Sequence, residues 1–394
     1  MIKRIILITI DCWRKDRLSH FGYDSKILPN INKLSKSAVI FQNMISNSSN
    51  TAPSFFSLFT SKIPVVDGLY TPIPNNLIQF SEILKKNNIF TCAIHSNPHL
   101  GRICNYQKGF DDYFDLLEKP LFSSWRQRMK NKVFKILEFL RIKNQILKIL
   151  SLILNIIKIK IKNDFISYII IKPYVDAKIT TSLAIEWLSK NINTDFFLWI
   201  HYMDPHRPYL PPKKFINNII GESVSNSNII SMNKIVKYFK PYSLKTKKFE
   251  EKYLHLTNIL YDAELSFVDH YIGILISYLK KKKAFEDTQI ILTADHGEAI
   301  FEHDLLGHQV CLYDELIKIP LIIKINKIHK QRIIKEHVEL IDIAPTILDI
   351  LNIPSEESFK GLSLLPLITD DIYPKKKDYI VSALLHHKNL VFTT

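Results

Sequence analysis

The sequence predicts an α/β fold, a mixed and mostly parallel β-sheet flanked by helices with a small C-terminal α+β subdomain after it. Three observations predict it. Short apolar runs ending in polar residues recur at Arg4–Ile10, Ile89–His95, Phe196–His201, Gln289–Ala294 and Pro320–Ile325, as expected of strands buried on both faces. Helical patterns alternate with these runs, which implies parallel strands joined by crossover helices. The length, 394 residues, suits a large catalytic domain with a smaller appendage.

Taken in order, Arg4–Ile10 is too short for a signal-peptide core, and no small-residue cleavage site follows it. It reads as the first buried strand. Pro29–Ala38 opens on a proline, the residue favoured at a helix start. Pro53 likewise puts Thr51 at or just before a helix N-terminus. Leu77–Asn87, Ala177–Asn191 and Thr257–Lys283 carry apolar residues at helical spacing. Beyond Val338 the run Glu339 to Thr346 leads into a helix ending at Leu351, and Asn389–Thr394 reads as a strand. The expected catalytic domain is 1–325 and the C-terminal subdomain 326–394. Two stretches break the alternation and read as insertions, a basic Ile/Leu-rich one at 119–172 and a polar Asn/Ser/Lys-rich one at 211–252.

Charge and composition exclude several classes. The formal charge is +15, but Lys119 to Asn163 holds twelve Lys/Arg against one acid, Glu138, and the rest of the chain is nearly balanced. A uniform nucleic-acid-binding surface does not fit that distribution. The nine glycines form neither a dinucleotide fingerprint nor a P-loop. Four cysteines, Cys12, Cys92, Cys104 and Cys311, lie far apart without a C-x-x-C pair, which argues against a disulfide framework and for a reducing compartment. No run of eighteen apolar residues occurs, so no spanning helix is expected and the cytoplasm is the expected location.

The chemistry-bearing residues gather at expected strand ends. Asp11 follows the first strand, and Asp295-His296-Gly297-Glu298 follows Gln289–Ala294. Two carboxylates and an imidazole at one sheet edge could converge on a divalent cation. For Asp11 alone, a turn or a helix cap is the better explanation. Gly297 is expected to let the backbone turn sharply. Thr51 reads either as a helix N-cap or as a nucleophile activated by a metal. His201, Asp204 and His206 lie at or just past another strand, and His303 and His308 follow the Asp295-His296 pair. So many acid/base and ligand groups at several strand ends favour a site over isolated caps.

In these residues the sequence resembles the sulfatase family of the alkaline phosphatase superfamily. The resemblance runs in order through Leu7 to Asp16 with Tyr23, Thr51-Ala52-Pro53-Ser54 to Ser61, Gly109-Phe110-Asp111, Asp204-Pro205-His206 with Pro208-Tyr209, Tyr261 to Glu264 with Asp269, Thr293 to Glu298, Ile319-Pro320-Leu321, and Asp342 to Thr346. It implies an alkaline-phosphatase-like sheet and one divalent metal, Ca, Mn, Mg or Zn, held by Asp11, Asp295, His296 and the Thr51 oxygen. It makes Thr51 the counterpart of the Cys or Ser that sulfatases convert to formylglycine. His206 matches a substrate-contacting His, and His308 stands in place of an active-site Lys. Asn97 and His99 fall where the family has a Gly-Lys-x-His-Leu-Gly stretch, and Arg14 and His303, beside other motifs, join them as candidate substrate contacts. Phe55 replaces the Arg of C/S-x-P-S-R, and Cys12 stands where many sulfatases have a second metal-binding Asp. Family members usually continue past the point matching Thr394, so the C-terminal subdomain is expected to be either abbreviated or incomplete in this sequence.

Thr51 cannot become formylglycine, and this gives the chemistry a direction. A threonyl sulfate needs a slow second attack at sulfur, whereas a threonyl phosphate is open to in-line attack by water or an acceptor hydroxyl. The expectation is a metal-dependent, sulfatase-like hydrolase or group transferase of phosphate or sulfate esters. Thr51 is the nucleophile, and His206 and His308 share the acid and base roles. The expected substrate is an anionic ester, glycan or lipid-linked. A reading from another class is a catalytically silent relative that binds an anionic glycan or membrane. The basic insertion 119–172 reads as a helical hairpin with a solvated lysine face, or as an amphipathic element on an anionic membrane at the inner face. Nucleic acid is not an expected partner.

Overall fold

The computed structural model describes residues 2–64, 71–118, 173–221, 251–308, 311–326, 328–369, 379–386 and 389–393. The basic insertion 119–172 and residues 222–250 of the polar insertion lie outside them. The chain divides into two compact units, one of residues 1–115 with 176–394 and one of residues 116–175.

The larger unit is built on an eight-stranded sheet. In chain order its strands are β1 (Arg4–Ile10), β2 (Val39–Ile45), β3 (Phe90–His95), β4 (Asp112–Asp115), β5 (Phe196–Tyr202), β6 (Thr288–Ala294), β9 (Lys318–Lys324) and β10 (Arg332–Glu339). Two short strands, β7 (Ala299–Ile300) and β8 (Leu306–Gly307), form a separate hairpin between β6 and β9. Across the sheet the order is β10-β2-β9-β6-β1-β5-β3-β4. Strand β9 pairs antiparallel with β2 and with β6, while the other pairs are parallel, so seven strands run one way and β9 alone runs against them. Every residue of β1 and β5 is buried, the physical reason these central strands read as unbroken apolar runs.

Pro320 lies inside β9, an interior position where proline removes a ladder hydrogen bond. The β2–β9 register shifts there, between Phe41↔Leu321 and Met44↔Ile319. The irregularity in pairing accommodates the missing N–H.

The helices are α1 (Pro29–Ser35), α2 (Thr51–Thr60), α3 (Phe80–Lys86), α4 (Ala177–Asn191), α5 (Lys213–Ile220), α6 (Glu251–Lys281), α7 (Asp314–Ile317), α8 (Ile343–Ile350) and α9 (Leu365–Thr369). Helix α5 lies in the stretch expected to be an irregular polar insertion; its burial of Phe215 and Ile216 explains why this part is helical. Helix α2 is buried along almost its whole length, with Phe55, Phe56 and Phe59 in the core. Asp269 on α6 accepts hydrogen bonds from the Asn30 and Ile31 amides and so caps the start of α1 (3.1 and 2.8 Å). Among the described residues no helix is long and apolar enough to cross a membrane.

The stretch expected to form a C-terminal subdomain from residue 326 places its first strand, β10, at the edge of the main sheet beside β2. Its exposure suits an edge, with Lys335, Glu336 and His337 exposed in succession between the buried Ile334 and Val338. The last strands, β11 (Ser382–His386) and β12 (Asn389–Thr393), form an antiparallel pair of their own.

Candidate active site

The site forms where the carboxyl ends of β1, β3, β5 and β6 meet the N-terminus of α2. Strand β1 delivers Asp11, whose amide donates to the Tyr202 carbonyl at the end of β5 (2.9 Å). Strand β6 delivers Asp295 and His296, both fully buried. Ser46, at the end of β2, donates from Oγ to the Asp295 carbonyl (2.5 Å) and accepts from the Ser48 amide, tying the turn before α2 to the end of β6. That turn sets Thr51 as the first residue of α2, 6% exposed, behind an N-cap Asn50 that makes no capping bond of its own.

Gly297 was expected to permit a sharp turn. Its backbone conformation is ordinary, and the constraint is space, because a Cβ there would lie 2.0 Å from the Glu315 carbonyl oxygen. The close approach lets the Gly297 amide donate to Leu316 O (2.7 Å), anchoring the segment after His296 to α7, the short helix just before β9.

The polar atoms face one another. Thr51 Oγ1 lies 3.2 Å from His296 Nε2, and that nitrogen lies 3.4 Å from Asp295 Oδ2. His296 Nδ1 donates to the Gly297 carbonyl (2.8 Å), which leaves the lone pair of the neutral ring on Nε2. Asp295 Oδ1 accepts from the Cys12 and His296 amides (3.3 and 2.9 Å), but the buried Oδ2 has no hydrogen-bond partner. Asp11 Oδ1 accepts from the Cys12 thiol (2.9 Å), and its Oδ2 faces Asn97 Nδ2 (3.2 Å) and His201 Nε2 (3.4 Å). Ligand atoms of Asp11, Cys12 and His296 lie within 4.8 Å of one another, as do those of Asp11, His201 and Asp295.

These residues fit a divalent cation. Ligands about 2.0–2.1 Å from a tetrahedral zinc stand about 3.3 Å apart, close to the Thr51–His296 and His296–Asp295 separations. The unpartnered Asp295 Oδ2 is the atom such an ion would satisfy. The charges point the same way. Burial raises the Asp295 carboxyl and the neighbouring Asp11 charge raises it further. Burial alone would raise Asp11 too, but the His201 hydrogen bond and the charges of His206, His296 and His201 prevail and hold it below the usual carboxylate range. Burial lowers His296, and Asp295 with Asp11 overcome this and raise it.

A second group adjoins the first. His308 lies ring to ring with His296 (centroids 4.2 Å) and with His206 (5.3 Å). Its Nδ1 is 3.2 Å from Glu298 Oε1 and 3.7 Å from Cys12 Sγ. His206 donates from Nδ1 to the Arg207 carbonyl (2.6 Å). Burial and the His296 charge push His308 down to about 4 against the pull of Glu298. Burial would raise Glu298, but the His308 charge and hydrogen bond bring it down to about 2.

The structure thus brings together Asp11, Thr51, Asp295, His296, His206, His308 and Asn97, and places the other three candidates elsewhere. Asn97 gives its amide to Asp11 and Met203 Sδ and accepts the His99 amide on Oδ1 (2.9 Å), whereas the His99 residue is exposed. His303 stacks on Tyr313 (centroids 3.7 Å) with Nε2 3.4 Å from Glu315. Arg14 is held by Asp16, Glu302 and the Glu298 carbonyl through all three guanidinium nitrogens.

Two site residues escaped the sequence reading. Cys12 was seen only as a departure from a motif, and His201 only as one polar residue at a strand end. The signal for His201 is an imidazole in an otherwise apolar, fully buried strand. There Thr9 Oγ1 lies 2.9 Å from His201 Nδ1 and accepts the Trp199 indole N–H (2.9 Å). Phe55, which replaces the motif Arg, packs edge-on against His201 (centroids 5.0 Å).

A mostly parallel sheet with a buried carboxylate–imidazole centre at its carboxyl ends and a hydroxyl at an adjoining helix N-terminus defines a protein of the alkaline-phosphatase-like α/β class. The Sulfatase family model matches residues 3–353, and the chain belongs to the sulfatase family. Arylsulfatase K of Canis lupus familiaris is 28% identical over 219 residues, an alignment covering 50% of this chain and 40% of that protein, so the chain matches well under half of that relative's length. Among solved structures, the phosphonate monoester hydrolase SpPMH from Silicibacter pomeroyi superposes with a TM-score of 0.70 at 18% identity, covering 97% of this chain and 79% of the other. The protein BT4656, solved with its substrate D-glucosamine-2-N,6-O-disulfate, superposes with a TM-score of 0.73 at 16% identity, covering 100% of this chain and 87% of the other. Both structures share the fold.

Proposed function

We propose that this chain is a metal-dependent hydrolase or group transferase of phosphate or sulfate esters, that Thr51 is its nucleophile, and that a phosphoryl group is what it transfers. The observation that carries the reading is the Thr51 hydroxyl at the N-terminus of α2, buried and 3.2 Å from the lone-pair nitrogen of His296. A cation held by Asp11, Asp295, His296 and Thr51 would supply Lewis-acid activation of the hydroxyl and stabilise charge on the transferring group. Thr51 Oγ, its proton released to solvent, attacks phosphorus, the bond from phosphorus to the ester oxygen breaks, and that oxygen leaves with a proton from His206. Water or an acceptor hydroxyl then attacks the same phosphorus and gives its proton to His308, which burial holds neutral above about pH 4. The bond from phosphorus to Thr51 breaks, the Thr51 oxygen takes a proton back from solvent, and His308 releases through solvent the proton that restores His206.

The names of the relatives span sulfur and phosphorus esters, a sulfate ester in the arylsulfatase and a phosphonate monoester in the hydrolase. Threonine itself tips the choice, since it cannot provide the gem-diol through which a sulfated intermediate collapses. The substrate class we assign is an anionic glycan ester, supported by the sulfated glucosamine in a neighbour with the same fold.

Rapid acid quenching during turnover of an aryl phosphodiester, followed by peptide mass spectrometry, should find a phosphoryl group on Thr51. Thr51→Ala should lose the label and lower kcat by about 10³-fold or more. Full activity of Thr51→Ala on every phosphate and sulfate ester tried would overturn the assignment.

A further inference from the structure

We propose that Asn47 and Ser382 are positioning residues, through which the C-terminal strand β11 fixes the turn that carries Thr51. The proposal rests on the Thr51 reading and says what holds that hydroxyl in place. The turn between β2 and α2 does little to fix itself. Ser48 Oγ, Ser49 Oγ and Asn50 Oδ1 are buried without hydrogen-bond partners, and the N-cap residue makes no capping bond. Ser46 and Ser54 supply the nearby ties, Ser46 Oγ to the Asp295 carbonyl and Ser54 Oγ to the Ser48 carbonyl (3.0 Å).

The other ties come from the far end of the chain. Asn47 Nδ2 donates to Glu339 Oε1 and to the Val381 carbonyl (both 2.9 Å), while its Oδ1 accepts the Ile341 amide (3.1 Å). The Asn47 carbonyl accepts the Ala383 amide (2.8 Å), and the Ser46 carbonyl accepts from Ser382 Oγ (2.6 Å). Val381 also donates its amide to Glu339 Oε1 (3.2 Å), so Asn47, Glu339 and the start of β11 form one closed set. Ser46, Asn47 and Ser382 are buried, and buried backbone carbonyls such as these need a donor.

Ser46 makes the connection to the site. Its carbonyl takes the Ser382 hydroxyl and its own hydroxyl goes to the Asp295 carbonyl, so one residue joins β11 to the end of β6. The other end of α2 is held in the same way. Ser61 Oγ donates to the Ile341 carbonyl (2.7 Å) and accepts the Gly361 amide (3.0 Å), and the Ser61 carbonyl accepts the Lys360 amide (2.8 Å). A helix tied at both ends resists sliding along its axis, which matters because a misplacement of about 1 Å at a reacting atom can cost about 10²-fold in rate.

The test separates placement from stability. Ser382→Ala takes this donor from the Ser46 carbonyl, and Asn47→Ala removes three hydrogen bonds. Thr288→Val is the control, since Thr288 is equally buried and donates from Oγ1 to a carbonyl, that of Ala284 (2.7 Å), at the opposite edge of the sheet. With an aryl phosphodiester, Ser382→Ala should lower kcat and kcat/KM alike by about 10-fold and Asn47→Ala by about 10²-fold. Thr288→Val should keep the wild-type kcat whatever it loses in urea unfolding. In acid-quenched single turnovers the phosphoryl label should appear on Thr51 more slowly in Ser382→Ala, by the same factor as kcat. Should Asn47→Ala fail to fold, Ser382→Ala, which loses one hydrogen bond, decides alone. Wild-type kcat in Ser382→Ala, or an equal loss in Thr288→Val, overturns the positioning role. A label that forms in Ser382→Ala as fast as in wild type refutes that role alone, whereas absence of the label from wild type refutes the Thr51 reading itself.

Discussion

At the edge of the sheet where the seven parallel strands begin and the antiparallel β9 ends, Arg4 and Lys324 are nearly as buried as Asp11 and Asp295 are at the opposite edge, yet the two ends of the sheet treat their charges differently. Lys324 Nζ donates to three carbonyls, those of Phe285, Glu286 and Thr288 (2.7, 2.7 and 3.1 Å). Arg4 donates from Nε to the Ile192 carbonyl (2.8 Å) and lies 3.9 Å from Asp287. At the other end two buried carboxylates repel each other, and Asp295 Oδ2 and Glu298 Oε2 lack hydrogen-bond partners. A buried charge with a full set of partners holds a fold together. Unsatisfied charges of one sign, gathered in one place, are costly and persist where a ligand is to complete them.

Asp295→Asn is the sharpest way to break this contrast. It should lower kcat by about 10³-fold or more, since it removes a ligand of the proposed cation. In the metal-free protein it should raise stability by about 1 kcal/mol, because it relieves the repulsion with Asp11. Parallel activity assays and thermal melts in chelator would show both effects. A metal-free variant clearly less stable than wild type would mean that this end of the sheet is built for stability after all.

Lys324→Met makes the opposite prediction. It leaves buried carbonyls unpaired, so the cost should be about 2–4 kcal/mol in urea unfolding. Because the site lies at the other end of the strands, kcat should be unchanged. A drop in kcat without a loss of stability would dissolve the division between the two ends.

The same division explains what could be read from sequence. Strands β1, β3, β5, β6 and β9 were legible because burial on both faces leaves them predominantly apolar, and Asp11 and Asp295 because they interrupt that pattern at its end. Strand β10 was not read as part of the main sheet, because its exposed Lys335, Glu336 and His337 give the pattern of an edge. Cys12 and His201 were missed for a related reason. A single thiol or imidazole next to apolar residues looks like core, and only the three-dimensional convergence on Asp11 gives it chemistry. Arg14 shows the other side of this, since the sequence marks a cation beside a motif but not the ion pairs with Asp16 and Glu302 that hold it.

The smallest expected effect concerns Asp269, a buried carboxylate that belongs to neither end and has its partners in place. It accepts from the Asn30 and Ile31 amides and from Asn30 Nδ2. Burial nevertheless outweighs those donors and raises it from 3.8 to about 6. The folded chain therefore holds a proton that the unfolded chain releases near pH 3.8. Stability relative to the non-titrating Asp269→Asn should fall as pH rises from about 4 through 6 and level off above that. Urea unfolding of both proteins at several pH values in that window would measure the difference. A wild type that instead gains on the variant as pH rises would show that the three donors, and not burial, govern this carboxylate, and that full partnering is enough to keep a buried charge at ease.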